Sequence, residues 1–61
     1  MRHMLLMVFK NGSVRVFYTH SVYEYKDYYL VAESGSFTRY YKKYLQNIIW
    51  EGNYGNNRVR R

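Results

Sequence analysis

The alternation of apolar and polar residues near the start of the chain predicts a β-hairpin. Met4 to Lys10 is an apolar, β-prone run that ends at Asn11-Gly12. Asn-Gly is a strong hairpin signal, because a type I′ turn needs positive φ at both central residues. The next run, from Ser13 to Thr19, alternates so that one face carries Val14, Val16 and Tyr18, and the other carries Arg15, Phe17 and Thr19.

Two further strand-like runs follow this hairpin. Val22 to Lys26 places Tyr23 and Tyr25 on one face, and Tyr28 to Ala32 comes after the turn residue Asp27. The pattern leaves open whether residues 19–26 form a separate strand or a bent continuation of the second strand. A bulge at His20-Ser21 is compatible with both. We therefore predict an antiparallel meander of three to four strands.

The hydrophobic period changes after the break at residues 33–36. From there the spacing of the apolar positions alternates between three residues and one, at Phe37, Tyr40, Tyr41, Tyr44, Leu45, Ile48 and Ile49. Such spacing is typical of one face of a helix. Ser36 is a suitable N-cap and Gly52 a suitable C′ residue. The pattern predicts an amphipathic helix from Phe37 to Trp50, about 21 Å long.

A rival fold follows from the residue types in this segment. Tyr and Ile prefer strands, so a strand at Thr38 to Tyr41, a short turn and a strand at Ile48 to Trp50 would give a small SH3/Sm-like β-barrel. We expect the helix, since unbroken helical spacing outweighs propensities of a few tenths of a kcal/mol per residue. The predicted fold class is therefore α+β, a β-meander followed by one C-terminal amphipathic helix. It forms one domain over residues 1–52, and residues 53–61 form a flexible basic tail.

Charge and aromatic content point to binding of a polyanion. The 61-residue chain has ten Lys and Arg against four Asp and Glu, a net charge of +6, and nine tyrosines. A basic excess favours nucleic acid, an anionic surface or an acidic protein. The chain has no cysteine, which excludes disulfides and cysteine zinc sites, so self-association as a dimer or tetramer is the expected way to stabilise so small a core. No apolar run approaches the ~18 residues of a membrane span, and we expect a cytoplasmic protein.

Catalytic chemistry has little support in the sequence. The four acids, Glu24, Asp27, Glu33 and Glu51, form no paired-carboxylate motif. No glycine-rich phosphate loop and no metal-binding histidine spacing is present. We expect no cofactor and no metal, and a binding protein rather than an enzyme. A weak nuclease site assembled across an oligomer interface is the one catalytic alternative left open.

Aromatic rings beside cations are the candidate binding chemistry, because bases stack on rings while Lys and Arg follow the phosphates. If the helix covers the Val14 face of the second strand, the opposite face lies open. The predicted nucleic-acid contacts are then Arg15, Phe17, Tyr23 and Tyr25 on the sheet, Arg39, Lys42 and Lys43 on the helix, and Arg58, Arg60 and Arg61 in the tail. A subunit interface at Phe17 and an ordinary solvated helix face are the alternatives.

The layout resembles a known family. Val8-Phe9-Lys10-Asn11-Gly12-Ser13-Val14-Arg15-Val16, followed by a helix from Phe37 to Trp50, resembles the positive-cofactor-four, Whirly-related, single-strand DNA binders. Members of that family pair through their helices and bind single strands on the sheet. The resemblance implies Lys10, Arg15 and Phe17 near a strand-binding surface. It also implies an oligomer interface on the helix, at Tyr41, Tyr44, Ile48 and Trp50. The Tyr-rich helix and extra N-terminal residues depart from the family.

A second functional class remains open. Tiny, basic, cysteine-free chains are similar to proteins of phages and mobile elements, some of which are anti-CRISPR inhibitors that dock on a host nuclease or act on DNA. Salt separates the two classes, because DNA binding weakens steeply with salt and a tyrosine-anchored protein contact does so much less.

Overall fold

The computed structural model describes residues 1–53, which form six β-strands and one short 3-10 turn. The strands are β1 (His3–Phe9), β2 (Val14–Thr19), β3 (Val22–Glu24), β4 (Tyr28–Glu33), β5 (Ser36–Tyr41) and β6 (Leu45–Trp50), and the 3-10 turn Lys42–Tyr44 joins β5 to β6. They form two antiparallel sheets with strand orders β2-β1-β6 and β3-β4-β5. The described residues are therefore all-β.

The core lies between the two sheets. Leu5 and Met7 of β1 meet Val22 of β3 and Val31 of β4, and all four side chains are 0% exposed. Partly buried side chains surround these four, namely Phe9, Phe17, Tyr29, Tyr40, Leu45, Ile48 and Trp50. So few fully buried side chains make a small core, as expected for a chain of this length.

The prediction of a C-terminal helix is wrong. The segment from Phe37 to Trp50 forms most of β5, the 3-10 turn and β6, and the described residues contain no α-helix. β5 pairs with β4 and β6 pairs with β1, so backbone groups that a helix would satisfy locally are satisfied by sheet neighbours. The element order here follows the rival arrangement of strand, short turn and strand.

A β-bulge explains part of the helix-like spacing. Val8 pairs with Asn47, whereas the next residue, Phe9, pairs with Leu45, so one extra residue of β6 is accommodated there. An extra residue reverses the alternation of a strand. Leu45 and Ile48 consequently both pack against the core although they are three residues apart. In β5, large side chains lie on both faces, which removes the simple alternation that would have indicated a strand.

The predicted first hairpin is confirmed, but the predicted type I′ turn is wrong. Ser34 is the one non-glycine residue with positive φ among the described residues, so Asn11 does not take the type I′ conformation. The Gly12 N–H donates to the Phe9 carbonyl at 2.9 Å, and Gly12 has φ +93°. This geometry is a three-residue connection ending in a left-handed glycine.

The break at residues 33–36 is itself a tight hairpin. Glu33 pairs with Ser36 across the two-residue turn Ser34-Gly35, where φ is +49° and +83°. Positive φ at both central residues is the requirement of a type I′ turn. The sequence pattern predicted an interruption here, whereas the chain reverses and continues the same sheet.

The two faces of β2 are oriented opposite to the prediction that the Val14, Val16 and Tyr18 face is covered and the other face is open. With no helix over them, Val14, Val16 and Tyr18 are exposed, and Thr19 is buried. The Thr19 hydroxyl donates to the Ala32 carbonyl of the other sheet at 2.7 Å. β3 is a separate strand that begins at Val22 after the His20-Ser21 link. Within residues 1–53, no helix has the length and apolar character to cross a membrane.

Candidate nucleic-acid interface

The outer face of the β3-β4-β5 sheet is the most aromatic surface of the described chain. Val22 and Val31 are partners in the sheet and point into the core. Strand alternation therefore turns the residues on either side of them outward. Together these outward residues form what we call the aromatic face, which consists of Tyr23, Tyr25, Tyr28, Leu30, Ala32, Phe37, Arg39 and Tyr41.

Ring contacts run across all three strands of this face. The centroid of Tyr28 lies 5.1 Å from that of Tyr25 and 5.4 Å from that of Tyr41. At the other end, the Tyr23 and Phe37 rings are 6.2 Å apart. Offset or tilted contacts of this length are favourable between aromatic rings, so the rings hold one another in place and present a preordered surface.

A cation lies directly on this ring surface. The Arg39 guanidinium carbon is 4.9 Å from the centroid of the Tyr28 ring, and Nη1 donates to the Tyr41 hydroxyl at 3.5 Å. Cation–π contact of this kind leaves the charge available to solvent, and Arg39 is exposed. None of the eight residues of the aromatic face is acidic.

Backbone hydrogen bonds gather further lysines at one end of the molecule. The Lys10 N–H donates to the Tyr44 carbonyl at 2.9 Å, and the Lys42 N–H donates to the Asp27 carbonyl at 2.8 Å. These bonds join the β1–β2 turn, the β3–β4 turn and the 3-10 turn. We call this region the basic end, and its cations are Lys10, Lys26, Lys42 and Lys43. It adjoins Tyr28 and Tyr41, which begin β4 and end β5.

Not every lysine of the basic end has a free charge. Lys42 Nζ lies 2.9 Å from Glu24 Oε2 and 5.1 Å from the Tyr29 ring centroid. Partial burial, followed by the charge of Glu24 and a hydrogen bond to it, raises the pKa of Tyr29. Lys43 Nζ lies 5.2 Å from the Tyr44 ring centroid. Among residues 1–53, Arg15 and Lys42 are the side chains in ion pairs with carboxylates.

Arg15 and Phe17 lie on the face of β2 that is directed toward the other sheet, and Arg15 remains exposed there. Arg15 donates to the Tyr40 hydroxyl and to Glu33 Oε1, the latter at 3.4 Å, and its guanidinium carbon is 4.8 Å from the Phe17 ring centroid. Phe17 packs against the core. The Arg15 side chain is 46% exposed and Phe17 is half-buried, and their contact with nucleic acid stays a prediction.

Tyr40 completes that network. Its hydroxyl donates to Glu33 Oε2 while accepting from Arg15. Burial and the hydrogen bond to Glu33 raise the pKa of Tyr40 to about 12, and the charge of Arg15 opposes this effect. A neutral tyrosine between a carboxylate and a guanidinium is a structural link between the sheets, since β2 belongs to one sheet and β4 and β5 to the other.

The other predicted nucleic-acid contacts are distributed as follows. The structure brings Tyr23, Tyr25 and Arg39 together on the aromatic face. Lys10, Lys42 and Lys43 lie at the basic end beside it. The tail residues Arg58, Arg60 and Arg61 fall outside the described residues.

The predicted oligomer-interface residues do not share one surface. Tyr41 belongs to the aromatic face and Tyr44 is exposed in the 3-10 turn. Ile48 and Trp50 pack against the core, and Trp50 makes an edge contact with His3 at 5.8 Å. The helical stripe that grouped these four residues does not form.

Sequence reasoning did not place Tyr28, Phe37 and Tyr41 together on one face with Tyr23 and Tyr25. A period of two was present in Phe37-Thr38-Arg39-Tyr40-Tyr41 and in Tyr28-Tyr29-Leu30. In both segments a second aromatic residue sits on the opposite face, at Tyr40 and at Tyr29, and this obscured the alternation.

A further depression is a weaker candidate site, because two of its charged side chains are paired with each other. A depression of about 580 Å³ includes Arg15, His20, Glu33 and Phe37 in its lining, but Arg15 and Glu33 bind each other. In residues 1–53, no cluster of three or more His, Asp or Glu side chains is suited to a metal ion.

No family model, curated protein or solved structure matches this chain. A function for the aromatic face therefore depends on the chemistry of the face itself.

Proposed function

We propose that the aromatic face binds single-stranded nucleic acid by base stacking. The observation that carries this proposal is a sheet surface with five aromatic rings, a cation on one of them and no carboxylate. Bases of a single strand expose their faces, and stacking one on a protein ring contributes about 1–3 kcal/mol. A duplex hides those faces, so the same surface favours single strands.

Charge supports the same partner. The chain carries +6, and Arg39, Lys26 and Lys43 border the rings without a carboxylate partner in the described part of the chain. Cations beside stacking rings follow the phosphates of a bound strand. Binding should then weaken as salt rises, because phosphate contacts release counterions.

A tyrosine pair provides a matched test. Tyr41 is 38% exposed on the aromatic face, and Tyr18 is 61% exposed on the outer face of the other sheet. We expect Tyr41→Ala to weaken binding of a short labelled oligonucleotide about 5- to 100-fold, from the stacking range above. Tyr18→Ala removes an equally large ring and should change affinity less than twofold. Fluorescence anisotropy at about 50 and 200 mM salt measures both.

The comparison with duplex decides the class of function. Binding that favours single strands and falls with salt supports the proposal. Equal losses in Tyr41→Ala and Tyr18→Ala would contradict it, and so would binding that ignores the single or double state of the strand. Complete absence of binding at low salt would favour the alternative, an inhibitor of a host defence enzyme that acts through protein contact.

A further inference from the structure

The sheet on the other side of the core has an apolar outer face. Leu5 and Met7 point inward from β1, so their strand neighbours and the residues paired with those neighbours point outward. These residues form what we call the apolar face, and they are Met4, Leu6, Val8, Val14, Val16, Tyr18, Asn47 and Ile49. Seven of the eight are apolar or aromatic, and none is charged.

Much of this surface is open to water. Val14, Val16, Tyr18 and Ile49 are 55%, 53%, 61% and 48% exposed. They flank Leu6 and Val8 on the central strand, so the exposed groups are contiguous rather than scattered. Contiguous apolar patches that cover a whole sheet face are uncommon on soluble monomers and mark interaction surfaces.

We propose that the apolar face binds the apolar face of a second copy of this chain. Charge supports this occupant. A chain of net charge +6 repels its own copies over most of its surface, and the apolar face is a whole sheet surface without a cation. Two copies can meet there with their positive residues directed elsewhere. A two-fold axis would pair the same patch on both subunits.

The chemistry of the face disfavours other occupants. The apolar face has no cation that could bind a polyanion. Residues 54–61 contain one tyrosine and one valine beside three arginines, so this segment has too few apolar side chains to cover three strands. A flat, β-branched face instead matches another sheet, because sheets stack about 10 Å apart with interdigitating side chains.

The area of the apolar face determines how tightly we expect the two copies to bind. Three strands span about 10 Å between the outer two, and six residues extend roughly 20 Å. Two such faces bury less than about 1,200 Å² in total, the lower end of specific interfaces. We therefore expect a reversible dimer with a dissociation constant in the micromolar range.

Sedimentation of the full chain without nucleic acid tests the proposal. From about 1 to 500 μM the protein should pass from monomer to dimer. Higher salt should leave the dimer equally or more stable, because screening reduces repulsion between the two positive chains. Val16→Lys should shift the midpoint at least 30-fold to higher concentration.

Phe37→Lys is the matched control. Phe37 is also 53% exposed, but it lies on the aromatic face, and the substitution adds the same charge. It should leave the dimer midpoint within threefold. Val16→Thr keeps the branched shape and serves if Val16→Lys fails to fold; it should weaken dimerisation about threefold to tenfold. A chain that stays monomeric throughout would overturn the proposal, as would a dimer lost in Phe37→Lys and retained in either Val16 variant.

Discussion

At the scale of single residues, the contact of Tyr40 with Arg15 and Glu33 is a polar link between the two sheets. Glu33 is 19% exposed at its side chain, and its two oxygens are engaged by Tyr40 and by Arg15. A partly buried carboxylate that loses a donor retains its desolvation cost. Tyr40 therefore stabilises the fold through Glu33 as well as through its own ring, which also contacts Phe9 at 6.2 Å.

Tyr40→Phe tests this link while keeping the ring. We expect the free energy of unfolding at neutral pH to fall by about 1.5–3 kcal/mol, the range for hydrogen bonds to charged groups. Urea unfolding followed by circular dichroism measures the change. Tyr41→Phe removes a hydroxyl that accepts a long hydrogen bond from Arg39 at 3.5 Å, so its effect should stay below about 0.5 kcal/mol. Equal effects of the two substitutions would contradict the special role of Tyr40.

The raised pKa of Tyr40 gives the same residue a pH signature. The folded state holds the Tyr40 proton up to about pH 12, whereas an unfolded tyrosine releases its proton near 10.0. The unfolded chain thus binds fewer protons in this window, and stability falls as pH rises. The contribution is complete below pH 10 and disappears through 12. In Tyr40→Phe the free energy of unfolding should decline less over this window than in the wild type. An identical decline would show that Tyr40 is not the group responsible.

At the scale of elements, the first chain reversal was predictable and the pairing of the later strands was not. Asn11-Gly12 correctly predicted a hairpin because the signal is contained in neighbouring residues. The helix expected over residues 37–50 failed because its spacing has two unrelated causes. Large side chains occupy both faces of β5, and a bulge near Gln46 puts Leu45 and Ile48 on one side of β6. The bulge depends on pairing with β1, which is distant from β6 in the sequence.

The turn between β4 and β5 permits a stabilising substitution. Ser34 has φ +49°, a conformation that costs most non-glycine residues energy and that Asn tolerates. Ser34→Asn produces the Asn-Gly pair that type I′ turns prefer. We expect the free energy of unfolding to rise by about 0.5–1 kcal/mol, measured by urea unfolding.

Ser36→Asn is the control for this turn. Ser36 begins β5 at a position where φ is not positive, so the substitution should give no comparable gain. An equal gain at both serines would show that Asn acts by another route. Gly35→Ala should lower the free energy of unfolding, because Gly35 has φ +83° although no atom lies within 4 Å of an added Cβ.

At the scale of the whole molecule, the chain has two outer faces of different chemistry. Tyr23, Tyr25 and Arg39 could be chosen as candidate contacts from the sequence, because ring and charge are properties of the residues. Their assembly with Phe37 and Tyr41 could not, since it requires β5 in the same sheet. The apolar face was likewise hidden, because the expected helix would have covered Val14 and Val16. The contacts of each face depend on how the elements pack against one another. The hydrophobic period predicted that packing incorrectly, because it indicated a helix where the chain forms strands.

The two proposals together predict how affinity depends on the length of the bound strand. A dimer joined through its apolar faces directs its two aromatic faces in opposite directions, about 30 Å apart across three intersheet spacings. An oligonucleotide of about 10 nucleotides can occupy one face, and one of about 40 can reach both, so the second contact becomes intramolecular.

At protein concentrations where the dimer forms, the longer strand should bind at least 10-fold more tightly than the shorter one. Val16→Lys should reduce this advantage to the small factor expected from the larger number of sites, while leaving affinity for the short strand within about threefold. Anisotropy titrations of both lengths measure the effect. An undiminished length dependence in Val16→Lys would show that the two aromatic faces act independently.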